Sequence, residues 1–142
     1  MAKYIYPAIF EKEEGYGYNV RFPDVDGCYT CGQTLIEAFE MAVDVLALML
    51  FDKEETGKAI PEATPIEAVK TARGEFVSYI TCDTKVYRRS HRTKAVKKTL
   101  SIPEWMNEEA VEAGLNFSKI LQEAIAEKLN GILPDEKPAP GK

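Results

Sequence analysis

Lys97, Thr99 and Ser101 alternate with Val96, Leu100 and Ile102 in a short run, Val96-Lys-Lys-Thr-Leu-Ser-Ile102. One edge of such a run carries hydrogen-bonding side chains and the other carries apolar ones. A strand this short is unstable alone, so it needs a second strand, supplied most simply by a copy of itself. A paired strand with a polar outer face is one of the few elements that fit the DNA major groove. Lysine donates to guanine O6 and N7, and hydroxyls donate or accept. Downstream, Gly114-Leu-Asn-Phe-Ser-Lys119 reads as the end of one helix at Gly114 and the cap of the next at Asn116.

Other reactive residue types are sparse. Cys28-Tyr-Thr-Cys31 has redox or zinc spacing, but the third cysteine, Cys82, is isolated and His91 is the sole histidine. Zinc needs four ligands, or three and a water, so no metal and no cofactor is expected, and the cysteines read as small apolar fillers. Asp24, Asp26, Glu37, Glu40 and Asp44 are candidate magnesium ligands. Two-metal nucleases need carboxylates converging on ions about 4 Å apart. Nothing in this spacing requires convergence, and turn carboxylates commonly bond backbone. No catalytic residue is assigned, and the expectation is a protein that is not an enzyme.

Charge divides the chain. Residues 1–83 hold 7 Lys/Arg and 15 Asp/Glu; residues 84–98 hold 7 and none; residues 99–142 hold 4 and 8. An acidic body is therefore followed by a basic stretch just before and inside the candidate reading strand, which favours a polyanion there. The start of the chain leads directly into strand pattern without a secretory leader, and the odd cysteine count suits a reducing cytoplasm. The apolar run from Leu35 to Phe51 is interrupted by Glu37, Glu40 and Asp44, which argues against a membrane span.

These groups need a scaffold. Tyr4–Phe10 and Tyr16–Phe22 read as a hairpin around Glu13-Glu14-Gly15, with Pro7 suited to an edge or a bulge. Cys28–Cys31 is a short third strand. Thr34 with Glu37 has capping-box spacing for a helix to about Glu55, stopped at Gly57. That helix is apolar nearly all round and needs cover beyond the sheet. A proline-broken loop follows, with a short helix within 65–72, then a returning strand Phe76–Cys82. Near the C-terminus, Pro103 opens a helix, Gly114 ends it, and Asn116 caps a second with the stripe Phe117, Ile120, Leu121, Ala124, Ile125 and Leu129. Two such helices enclose no core alone. The expected organisation is a first domain over 1–83, a basic linker over 84–95, a dimerising unit over 96–130 and a flexible tail over 131–142.

The stretch from Lys97 to Leu129 resembles the ribbon-helix-helix DNA-binding domains. That resemblance implies a homodimer whose paired strands point Lys97, Thr99 and Ser101 at base edges, with Asn116, Phe117, Ser118 and Lys119 on phosphate. The first half resembles the HicB antitoxin family through Phe22-Pro-Asp24, Gly27-Cys28, Gly32, Thr34, Glu37 and Ala38. It departs at Asp26, where proline is common, and at Cys31. This resemblance implies an α+β chain with a partial ribonuclease-H-like first domain: a three-stranded sheet, a helix and a returning strand. It implies binding of HicA, a small basic toxin that cleaves messenger RNA, and repression of the protein's own operon through operator DNA. The acidic first domain fits a basic partner independently. The competing reading is a ligand-sensing ribbon-helix-helix regulator without a toxin.

Overall fold

A computed structural model describes residues 2–132 of the 142-residue chain. The chain divides into two compact units, Met1–Ala95 and Val96–Lys142.

The first unit is an antiparallel sheet with a long helix across one face. Its strands are β1 (Lys3–Glu13), β2 (Gly17–Arg21), β3 (Tyr29–Gly32) and β4 (Glu75–Asp83), in the order β3-β2-β1-β4. Helix α1 (Leu35–Thr56) covers the face formed by Tyr6, Ala8, Phe10, Val20, Phe22 and Ile80. It contributes Ala38, Ala42, Leu46 and Leu50 to a common core. Phe10 stacks between Phe39 and Phe76, with ring centroids 4.5 and 5.0 Å away.

β1 pairs with β4 over Lys3–Glu11 but with β2 only over Ile9–Glu13. Pro7 therefore lies where β1 has one ladder neighbour, so its missing N–H leaves no gap in a ladder. The returning strand joins the open side of β1, which makes the expected three-stranded sheet four-stranded.

Helix α1 begins as its sequence dictates. The Thr34 hydroxyl accepts from Glu37 N at 3.1 Å. The Glu37 carboxylate reaches back to Gln33 N at 2.9 Å, one residue before the usual capping-box donor. Gly57 ends the helix with φ 70°, and Lys58 N bonds Lys53 O. The proline-broken loop holds a single 3₁₀ turn, Ile66–Ala68.

Residues 84–95, expected as a linker, start with a helix. Helix α2 (Thr84–His91) packs on α1 within the first unit. Asp83 caps it, accepting from Lys85 N at 2.9 Å. Tyr87 meets Phe51 at a centroid distance of 5.4 Å, and Arg92 pairs with Glu55 at 2.6 Å while lying over the Phe51 ring. The charges dominate the sequence here, but Tyr87 supplies the contact that docks the helix.

The second unit contains α3 (Glu104–Glu112) and α4 (Phe117–Ile132). Pro103 stands just before α3 rather than within it. α3 ends in a Schellman motif: Leu115 N bonds Ala110 O, Gly114 N bonds Val111 O, and Gly114 has φ 69°. Helix α4 continues through Ile132, so the expected tail cannot begin at Gly131; the rest of that expectation, 133–142, lies outside the described residues. No helix among the described residues is long and apolar enough to cross a membrane.

Candidate functional site

The turn after β2 carries the densest motif, and its geometry is structural. Phe22 N bonds Cys28 O, Val25 N bonds Phe22 O, and Cys28 N bonds Val25 O, at 3.0 to 3.3 Å. Gly27 closes the turn at φ 73°. Asp24 holds the far loop: its two carboxylate oxygens accept from Thr64 Oγ1 at 2.5 Å and Thr64 N at 2.9 Å. Tyr6 Oη donates to Pro61 O, and Tyr79 Oη accepts from Ile66 N at 3.1 Å. Asp24 is thus a clamp between two segments forty residues apart. Sequence reasoning missed this partner because Thr64 sits in a loop with no motif of its own.

The glycine at the next motif position answers to space. A Cβ on Gly32 would sit 2.4 Å from Ala38 N, so β3 approaches the first turn of α1 too closely for any side chain. Ala38 itself is fully buried.

The candidate carboxylates do not meet. Asp24 is spent on Thr64, Glu37 on Gln33, and Glu40 and Asp44 point outward on α1. Among the described residues no group of three His, Cys, Asp or Glu side chains could hold a metal ion. Cys28 and Cys31 differ in environment: Cys28 is buried and Cys31 exposed, and both are free thiols. Burial pushes the Cys28 thiol up to about 11 and the Cys82 thiol up to about 12, with nearby Asp83 and Glu54 adding to the latter. These buried thiols stay protonated and inert at neutral pH.

A second long-range knot anchors α2. The Thr84 hydroxyl accepts from Ala2 N at 3.0 Å and lies 2.7 Å from Glu54 Oε1, to which it donates. Tyr4 Oη also donates to Glu54, at 2.9 Å, and burial together with that carboxylate pushes the Tyr4 phenol up to about 12. The start of β1, the end of α1 and the start of α2 converge there. None of these partnerships was legible in the sequence, where residues 84–95 read as a basic linker.

Outward from the core, α1 shows Ile36, Met41, Val43 and Leu48 to solvent, with Ile36 74% exposed. A groove of about 740 Å³ opens between Val43 and Ala47 of α1, Ile5 of β1, and Val86 and Tyr87 of α2.

The second unit has the expected caps at Gly114 and Asn116 but no core among the described residues. Between residues 96 and 130 no residue is buried, and Leu100, Met106, Phe117, Ile120 and Ile125 are all exposed. Lys97, Thr99 and Ser101 lie in an exposed segment with no strand partner among the described residues. Asn116, Phe117, Ser118 and Lys119 come together at the start of α4. Asn116 Oδ1 accepts from Lys119 N at 3.0 Å, so that donor is already used and the Asn116 side chain is occupied as a cap.

An acidic sheet–helix unit with an apolar outer helix face and a helical unit with no buried residue between 96 and 130 together define an α+β protein. The sequence matches, over residues 6–124, the family model described as a HicB-like antitoxin of bacterial toxin-antitoxin systems. The chain belongs to the HicB-like antitoxin family, whose members are not enzymes. It is 30% identical over 99 residues to an uncharacterized 14.9 kDa protein in the rep-hol intergenic region of Haemophilus phage HP1, covering 70% of this chain and 73% of that protein. Its structure resembles a chain of a toxin-antitoxin complex from Streptococcus pneumoniae at 29% identity and TM-score 0.58, covering 89% of this chain and 99% of that one. The antitoxin HicB of Burkholderia pseudomallei shares the fold at 20% identity and TM-score 0.51, with the same coverage.

Proposed function

We propose that this antitoxin neutralises a HicA-type, messenger-RNA-cleaving toxin through its first unit and represses its own operon through its second. The first part is supported by family membership, by the likeness to a chain of a toxin-antitoxin complex, and by the net acidity of residues 1–83. Acidity of that size draws in a basic protein and turns away nucleic acid. A toxin that cleaves messenger RNA sets the pair's place in the cytoplasm. The first unit corresponds to the partial ribonuclease-H-like domain, used as a binding scaffold.

The observation that carries the second part is the absence of any buried residue between 96 and 130 in a unit where the end of α3 and the start of α4 are both capped. Each aliphatic side chain brought out of water contributes about 1.5–3 kcal/mol, so a second copy that covers Val96, Leu100, Ile102, Met106, Ile120 and Leu121 supplies the missing core. In that homodimer Val96–Ile102 pairs with its counterpart as an antiparallel ribbon, and the two second units form a ribbon-helix-helix. Lys97, Thr99 and Ser101 then face operator bases. The N–H groups of Phe117 and Ser118 grip phosphate at the dipole end of α4, with Asn116 as cap and the Lys119 ammonium adding charge.

The test is a pair of assays on the full chain. Co-expression should restore growth to cells making the adjacent-gene toxin, and footprinting should protect DNA upstream of the operon. Growth arrest that persists at equal expression removes the toxin reading, and no protection at micromolar protein in 0.1 M salt removes the repressor reading.

A further inference from the structure

The outward face of α1 is an unexplained surface of the first unit. Ile36, Met41, Val43 and Leu48 are exposed there, around Glu40 and Asp44. Solvated helix faces normally mix both signs of charge, yet no Lys, Arg or His occurs between Leu35 and Asp52. The face therefore combines apolar anchors with a stretch of helix that carries only negative charge, while Lys3 and His91 line the groove beside Asp44. Its lower end opens into the groove beside Ile5, Ala47 and Tyr87, deep enough to take a large side chain.

The chain itself shows what chemistry this helix accepts. Its last turns are already covered by α2, which brings one aromatic ring and basic residues: Tyr87 against Phe51, and Arg92 against Glu55 and over the Phe51 ring. The uncovered turns present the same apolar-and-acidic surface with nothing on it.

We infer that the outward face of α1, from Ile36 to Leu48, together with the groove below it, is the surface that receives the basic toxin. The matching toxin element is an apolar side chain seated in the groove and flanked by lysines or arginines that reach Glu40 and Asp44. This rests on the toxin reading above and specifies where it acts. Apolar anchors set the lifetime of such a complex, while peripheral charge sets how fast it forms. The opposite sheet face offers a poorer match, since Arg21 is exposed there and its charge is paired with Glu75.

The experiment measures binding kinetics of full-length chain to catalytically silenced toxin from the adjacent gene, with operator binding as the check that each variant is folded. Leu48→Lys is expected to weaken binding at least ~100-fold, mostly through faster dissociation. Asp44→Lys is expected to slow association at least ~10-fold in 0.05 M salt, with a smaller effect in 0.5 M salt. Tyr29→Lys, on the exposed edge strand β3, should bind as wild type. Unchanged kinetics for both α1 variants, with wild-type toxin binding intact, overturns the surface assignment and leaves the toxin reading standing. A change in sedimentation of the free chain with unchanged toxin kinetics also overturns it, because the face then joins copies of this chain. Absence of toxin binding by the wild-type chain overturns both readings.

Discussion

Replacing Asp24 by alanine should destabilise the first unit without touching any chemistry. Its carboxylate holds Thr64 by two hydrogen bonds, 2.5 Å to the hydroxyl and 2.9 Å to the backbone N–H. Bonds to a charged group are each worth about 1.5–3 kcal/mol net, and partial exposure lets water recover some of that. The expected loss for Asp24→Ala is about 2 kcal/mol. For a domain of this size that lowers the melting temperature by roughly 8–16 °C. Asn at the same position can accept from Thr64 N and donate to Thr64 Oγ1, so Asp24→Asn should cost less than ~1 kcal/mol. Thr64→Val removes only the hydroxyl. In a double-mutant cycle with Asp24→Ala, its coupling should be about 1 kcal/mol. Scanning calorimetry of the five full-length proteins, wild type, three single variants and the Asp24→Ala/Thr64→Val double variant, reads all three values. A loss below ~0.5 kcal/mol for Asp24→Ala, or additive single effects, would refute the clamp. Magnesium-dependent RNA cleavage by the wild type, abolished by Asp24→Asn, would return this carboxylate to a catalytic role.

Gly32→Ala should cost about 1–3 kcal/mol in urea unfolding, because its methyl group meets the backbone of Ala38 and not a movable side chain. At pH 8 a thiol reagent should modify Cys31 rapidly and Cys28 and Cys82 only after unfolding. The unfolded chain loses its thiol protons first, near a pKa of about 8.5, while the native thiols hold theirs to about 11 and about 12; stability is therefore full below about pH 8.5 and falls as pH rises toward 11, visible as a declining urea midpoint. Lys97→Ala or Thr99→Ala should relax operator preference by about 1–3 kcal/mol per lost base contact, whereas an equal loss on all DNA sequences would contradict base reading. Arg92→Ala should instead lower first-unit stability by about 1 kcal/mol through its exposed ion pair and ring contact, with sequence preference unchanged.

What the sequence made legible was local. The hairpin, the Thr34 cap, the Gly57 stop and the Gly114 turn depend on residues within a few positions of one another, and each formed where expected, the first strand running three residues further to Glu13. The clamp from Asp24 to Thr64 and the knot joining Ala2, Glu54 and Thr84 span tens of residues and leave no periodic trace. Helix α2 was obscured because Lys85, Arg88, Arg89 and Arg92 give it a linker's composition, while the residue that docks it, Tyr87, meets Phe51, far back in the sequence on α1. The Val96–Ile102 run shows the opposite limit: its alternation is plain, but it pairs with no strand among the described residues.

The central claim is that this chain silences a toxin by binding it. The direct measurement is cleavage of a labelled messenger RNA by the adjacent-gene toxin, titrated with purified full-length chain. Cleavage should fall in proportion to added protein and cease near stoichiometric equivalence, with the chain alone leaving the RNA intact. Undiminished cleavage at a tenfold excess of folded, operator-binding protein would contradict the claim.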